Sequence, residues 1–167
     1  MTFRVSITPP PGPVDPARLS DTQFDEADLD HYDSLVMTAA EQLDAAGATA
    51  RVEGFGLDWH TDVAYDLSAF IEGLPAVLRG VLAGTGAEWD LYPQGLERVV
   101  SVRPADDGWT LTCHQGGAPA GTAEHFSHDA LLALLTNLAE DFRAAVHAVR
   151  PDLADRFSAH WKELSSP

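Results

Sequence analysis

The amino-acid sequence predicts an α+β fold: a mainly antiparallel sheet of about five strands, in the order β-α-β-α-β-β-β-α-α, with helices packed on one face. Three observations predict it. A period-two alternation opens the chain, long apolar stripes recur at helical spacing, and three β segments in the middle are separated only by turns.

In "FRVSITP" (3–9), Phe3, Val5 and Ile7 alternate with Arg4, Ser6 and Thr8, as in a half-buried strand. "PPPGPVDP" (9–16) cannot be helix or central strand, because proline fixes φ and lacks an N–H donor. It opens a Pro-rich and acidic connector over residues 9–33. Tyr32, Leu35, Val36, Ala39 and Leu43 then share one face of a helix running to Ala46, with Gly47 as its stop. "ATARVEGFG" (48–56) reads as a strand. A second helix carries Leu67, Phe70, Ile71, Leu74, Val77, Leu78, Val81 and Leu82, and Pro75 inside it predicts a kink or split. "AEWDLY" (87–92), "LERVVSV" (96–102) and "WTLTCH" (109–114) form a meander through the turns at Pro93-Gln94-Gly95 and "DDG". "QGGAPAGTAEH" reads as a flexible connection. Leu131, Leu134, Leu135, Leu138, Phe142, Ala145, Val146 and Val149 stripe a third long helix, with Ser127 as its N-cap and Pro151 as its stop. A last short helix, capped by Asp152, carries Leu153, Phe157 and Trp161.

At 167 residues with four Trp and seven Phe, the chain is read as a single domain with a real core. No apolar run approaches the ~20 residues of a membrane span. The N-terminal "MTFRVSITPP" lacks the pattern of a secretory signal, and the single Cys113 fits a reducing cytoplasm. A formal net charge of -16 repels phosphate backbones and anionic membranes, so neither nucleic acid nor a membrane is expected as partner. The same charge favours a basic partner protein through steering, or serves solubility alone.

Candidate chemistry concentrates in "LDWHTDVAYD" (57–66). Asp58, His60 and Asp62 are donors of the kind that bind divalent metals, and their i, i+2, i+4 spacing would share one face of a strand. "EHFSHD" (124–129) could add His125 and His128. Each stretch also has a purely structural reading. Asp66 caps the helix beginning at Leu67, Asp62 lies before its positive end, Trp59 and Tyr65 pack on the sheet, and His60 is solvated. His128 and Asp129 likewise occupy a polar first turn. The structural reading is preferred, so no metal and no cofactor are expected, and no catalytic residue is assigned. No phosphate-binding loop, dinucleotide fingerprint or serine-nucleophile elbow occurs, and Cys113 sits on the apolar side of its strand. At the hairpin tip, Asp90 and Tyr92 face outward, where Tyr92 either anchors a partner or merely covers the turn.

"WDLYPQGLERVVSV" followed by "ALLALLTNLAEDFRAAV" resembles small uncharacterised acidic proteins of GC-rich bacteria over residues 66–150. In size, acidity and α+β plan the chain is also similar to immunity proteins that neutralise partner toxins in bacterial competition. That resemblance implies a non-enzymatic binding protein that occludes a basic toxin active site. The expected contacts are Asp25, Glu26, Asp28, Asp30, Asp58, Asp62, Asp90 and Tyr92. The alternatives are a small metal-dependent enzyme using Asp58, His60, Asp62, His125 and His128, and a structural or regulatory module that homodimerises through the 131–149 stripe.

Overall fold

The computed structural model describes residues 2–19, 26–57, 59–92, 97–114 and 122–164, with side chains to Trp161. Strand β1 (Arg4–Thr8) pairs antiparallel with β2 (Thr49–Glu53), Val5 opposite Val52 and Ile7 opposite Ala50. Between them lie a four-residue helix α1 (Pro16–Leu19), a 3-10 turn (Asp28–Asp30) and α2 (Tyr32–Ala45). Gly47, at φ 86°, stops α2 as expected: Ala48 N–H reaches Leu43 O and Gly47 N–H reaches Asp44 O, which satisfies the last carbonyls.

The second sheet has four strands, β3 (Ala87–Asp90), β4 (Val99–Ala105), β5 (Gly108–His114) and β6 (Ala123–Phe126), in that order and all antiparallel. The α+β class therefore stands, with six strands in two sheets rather than about five in one. The additional strand is β6, in the stretch read from sequence as a flexible connection. Four residues that follow a glycine-rich stretch carry too little period for sequence to mark them. Pairing with β5, Trp109 opposite Phe126 and Leu111 opposite Glu124, is what makes them a strand.

Helix α3 (Ser68–Leu82) runs through Pro75 without a break, where the sequence predicted a kink or split. Proline at position 75 deprives the Ile71 carbonyl of its helical donor. The Tyr32 hydroxyl donates to that carbonyl instead, at 2.9 Å, so the missing bond is replaced from α2. On its other side α3 lies close against β3. A Cβ on Gly73 would stand 2.6 Å from Trp89 Cδ1, and one on Gly80 would stand 2.4 Å from the Gly86 carbonyl oxygen. Trp89 Nε1 donates to Phe70 O at 3.0 Å and completes the contact.

Helices α4 (His128–Val149) and α5 (Pro151–Leu164) finish the layer. The Ser127 hydroxyl accepts from Ala130 N–H at 3.2 Å, the predicted cap. Leu131, Leu135, Leu138, Phe142, Ala145, Val146 and Val149 are all buried. The stripe that could have formed a dimer is thus spent on the core.

One apolar cluster runs through both sheets and the long helices. At its centre Phe3 contacts Phe55, Trp59, Phe70 and Trp89, with ring centroids 5.3–6.3 Å apart. The Glu124 carboxylate accepts from the backbone N–H groups of Phe3 and Phe55, so β6 pins the first sheet to the second. No helix among the described residues is long and apolar enough to cross a membrane.

Candidate functional site

The 59–66 segment owes its shape to two aspartates. Asp62, in extended backbone, accepts through Oδ1 from Tyr65 N–H at 2.7 Å and from Asp66 N–H at 3.3 Å. Asp66 Oδ2 accepts in return from Asp62 N–H at 2.9 Å. A reciprocal capping box usually spans three residues; here it spans four, because the first turn (Val63–Leu67) is wound as a π-helix. The cap is therefore Asp62, and Asp66 is its reciprocal partner, which corrects the expected assignment. Val63 and Leu67 point into the core, while Tyr65, expected to pack on the sheet, is 54% exposed. The wider turn separates the buried pair from the tyrosine between them. Residues 59–62 are not a strand, so the strand face expected to carry His60 and Asp62 does not form. Burial pushes the Asp66 carboxyl up; the bond from Asp62 N–H opposes this, the charge of Asp62 adds to it, and Arg98 opposes it.

Trp59 is buried, with Nε1 donating to Gly54 O at 3.2 Å. The Arg98 guanidinium lies over its ring, 4.1 Å from the centroid. Arg98 belongs to the hairpin, since its carbonyl accepts from Leu91 N–H at 3.1 Å. Its charge also reaches Asp66 and Cys113. One side chain thereby joins the 59–66 segment to the base of the 90–98 hairpin. On that hairpin, Asp90 Oδ1 accepts from Tyr92 N–H at 3.0 Å and fixes the backbone from which Tyr92 stands out, 41% exposed. Arg98 thus ties Trp59 and Asp66 to the strand that carries Asp90 and Tyr92, whose side chains alternate to the face opposite the buried Leu91. Tyr65, Asp66 and Arg98 were not singled out from sequence as contacts. The available signal was the D-x-x-x-D spacing before an apolar pair. For Arg98 there was none, because its partner lies 39 residues away.

Other expected residues lie elsewhere. Asp28 and Asp30 flank the buried Leu29 in the 3-10 turn before α2, and Asp30 stands 3.5 Å from Arg156 of α5. Glu26 is exposed just before that turn. Asp25, Asp58 and the turn residues Pro93, Gln94 and Gly95 fall outside the described residues. His60 is exposed. His125 Nδ1 is 3.0 Å from Thr110 Oγ1, whereas His128 Nδ1 accepts from Trp109 Nε1 at 3.1 Å. Neighbouring residues of a strand face opposite ways, so these two bonds draw the histidines to opposite sides of β5. Among the described residues no group of three or more His, Cys, Asp or Glu is placed to hold a metal ion. Burial raises the Cys113 thiol above its usual range, against a thiolate nucleophile.

Compared with protein families, curated proteins and solved structures, the chain matches none.

Proposed function

We propose that this chain is a non-enzymatic binding module for a basic partner protein, and that its contacts are the acidic, tyrosine-bearing 62–66 and 90–92 segments, which Arg98 links from beneath. The observation that carries the reading is a pair of exposed tyrosines, Tyr65 beside Asp62 and Asp66 and Tyr92 beside Asp90, each on backbone that an aspartate holds in place. Rigid tyrosines lose little side-chain entropy on binding and are favoured as anchors. The carboxylates and the overall charge of -16 steer a cationic surface toward them. A toxin with a basic active site fits this chemistry: the tyrosines occupy the cleft, the carboxylates pair with its cationic groups, and substrate is excluded. The resemblance in size and acidity to immunity proteins supports the same reading.

The test compares immobilised wild type with a Tyr65→Ala/Tyr92→Ala double variant. A basic protein held by wild type, released by salt and poisonous to cells without this chain is the expected capture. Each alanine should remove about 2 kcal/mol of affinity, as at hot-spot aromatics. Equal retention by wild type and double variant would refute the assigned face.

A further inference from the structure

A concavity of about 430 Å³ lies between α2, α3 and α5. Tyr32, His160 and Trp161 supply its rings, Pro75 part of its wall, and Asp33 and Glu72 its carboxylates. The rings are held in place. Tyr32 donates to Ile71 O at 2.9 Å and accepts from Trp161 Nε1 at 3.3 Å, and the His160 ring stands 5.4 Å from that of Tyr32 with an interplanar angle of 64°. Asp33 and Glu72 line the same cavity as the rings, Asp33 being the neighbour of Tyr32 in the first turn of α2. Arg79 also lines the cavity and is exposed, so the lining carries one guanidinium and two carboxylates.

Aromatic faces attract cations through their quadrupole, and adjacent carboxylates add a full charge. Neutral apolar molecules gain nothing from the second feature, and anions are repelled by it. We propose that this cavity is a binding site for an organic cation, an alkylammonium or guanidinium group, received against the wall of Tyr32, His160 and Trp161 and balanced by Asp33 and Glu72. The cavity shares no residue with the 62–66 and 90–92 segments. Its occupancy can therefore be tested without any partner protein, and either assignment can fail alone.

The experiment is an NMR titration of the full chain at pH 8, where an ordinary imidazole is neutral, in about 0.15 M salt to screen diffuse attraction. The probes are tetramethylammonium, N-acetyl-arginine methylamide and the neutral isostere tert-butanol. The Trp161 indole N–H is the reporter, assigned through Trp161→Phe. The expected result is a saturable shift with at least one cation, with a dissociation constant on the order of 1 mM. Glu72→Gln, which keeps the shape and removes the charge, should weaken it about fivefold. Asp33→Asn, on the exposed side of the site, supplies a second variant with the same expected direction. Tighter binding of tetramethylammonium identifies a small quaternary amine as the ligand class, and tighter binding of the arginine derivative identifies a basic side chain. Shifts that never saturate, equal binding of tert-butanol, or unchanged affinity in both charge variants would overturn the proposal.

Discussion

At the hairpin edge, Tyr65 and Tyr92 stand out from the molecule because nearby aspartates bend the backbone beneath them. At the helical end, Tyr32 is drawn in by a carbonyl that Pro75 has left without its donor. The hairpin edge takes its order mostly from contacts within five residues, with Arg98 as its long link to Trp59. The helical end takes its order from pairings 39 and 129 residues apart. Local order yields exposed rings on a shaped backbone, suited to pressing on a partner. Long-range order yields rings fixed around a cavity, suited to enclosing a group.

The largest effect should come from breaking the long-range order. Tyr32→Phe leaves the Ile71 carbonyl and the Trp161 indole N–H without the phenol, and should cost about 2 kcal/mol in urea unfolding. In a Pro75→Ala background the restored N–H takes the Ile71 carbonyl, so the same substitution should cost about 1 kcal/mol less. Equal penalties in both backgrounds would show that the proline and the tyrosine are not coupled.

Arg98 is next. Arg98→Met keeps much of the aliphatic stem over Trp59 and removes the guanidinium, at about 1.5 kcal/mol. Because the Arg98 charge holds the Asp66 carboxyl down, its removal should also move that carboxyl further up in an NMR titration. A stability loss without movement of Asp66 would separate the hairpin from the 59–66 segment.

Much of this architecture is legible in the sequence, and what is not shares a physical cause. The stops at Gly47 and Pro151 and the cap at Ser127 are local chemistry and appear where the residues place them. The outward setting of Asp90 and Tyr92 follows from strand alternation around the buried Trp89 and Leu91. Strand β6, the continuity of α3 through Pro75, and the placement of Arg98 over Trp59 all depend on partners far along the chain. At the proline, sequence names the vacancy, an Ile71 carbonyl with no donor four residues on, but not the tyrosine that fills it. At the 59–66 segment, the capping chemistry was readable and its register was not. A π-turn moves the cap from Asp66 to Asp62 and turns Tyr65 outward.

Local order should yield less when broken. Asp62→Ala removes the acceptor for Tyr65 and Asp66 N–H and should cost about 1 kcal/mol, and Asp62→Ser should recover most of it. If the alanine variant also weakens partner binding more than the serine variant, the cap serves the face as well as the fold. Equal affinities would assign the cap to stability alone.

The smallest effect lies in the Asp66 carboxyl and is one of pH. Burial and the Asp62 charge raise it above the ordinary aspartate value of 3.8, so the fold favours its protonated form. That preference stabilises fully below the unfolded value and is lost as pH rises through the folded one. Asp66→Asn keeps an oxygen to accept from Asp62 N–H and removes the titration. Both proteins share the acid losses of other carboxylates. Among these is Asp152, whose carboxyl Arg150 holds below its usual range through bonds of 2.9 and 2.6 Å. Their difference therefore isolates Asp66. Wild type should gain on the variant as pH falls from 7 through the carboxylate range, by a small margin because the group is only half-buried and solvent screens it. Urea unfolding of both proteins across that range reads the margin directly. A flat difference would mean that Asp66 is as well solvated in the fold as out of it. A difference of opposite sign would mean that the carboxylate is favoured by the fold, with Arg98 rather than burial governing it.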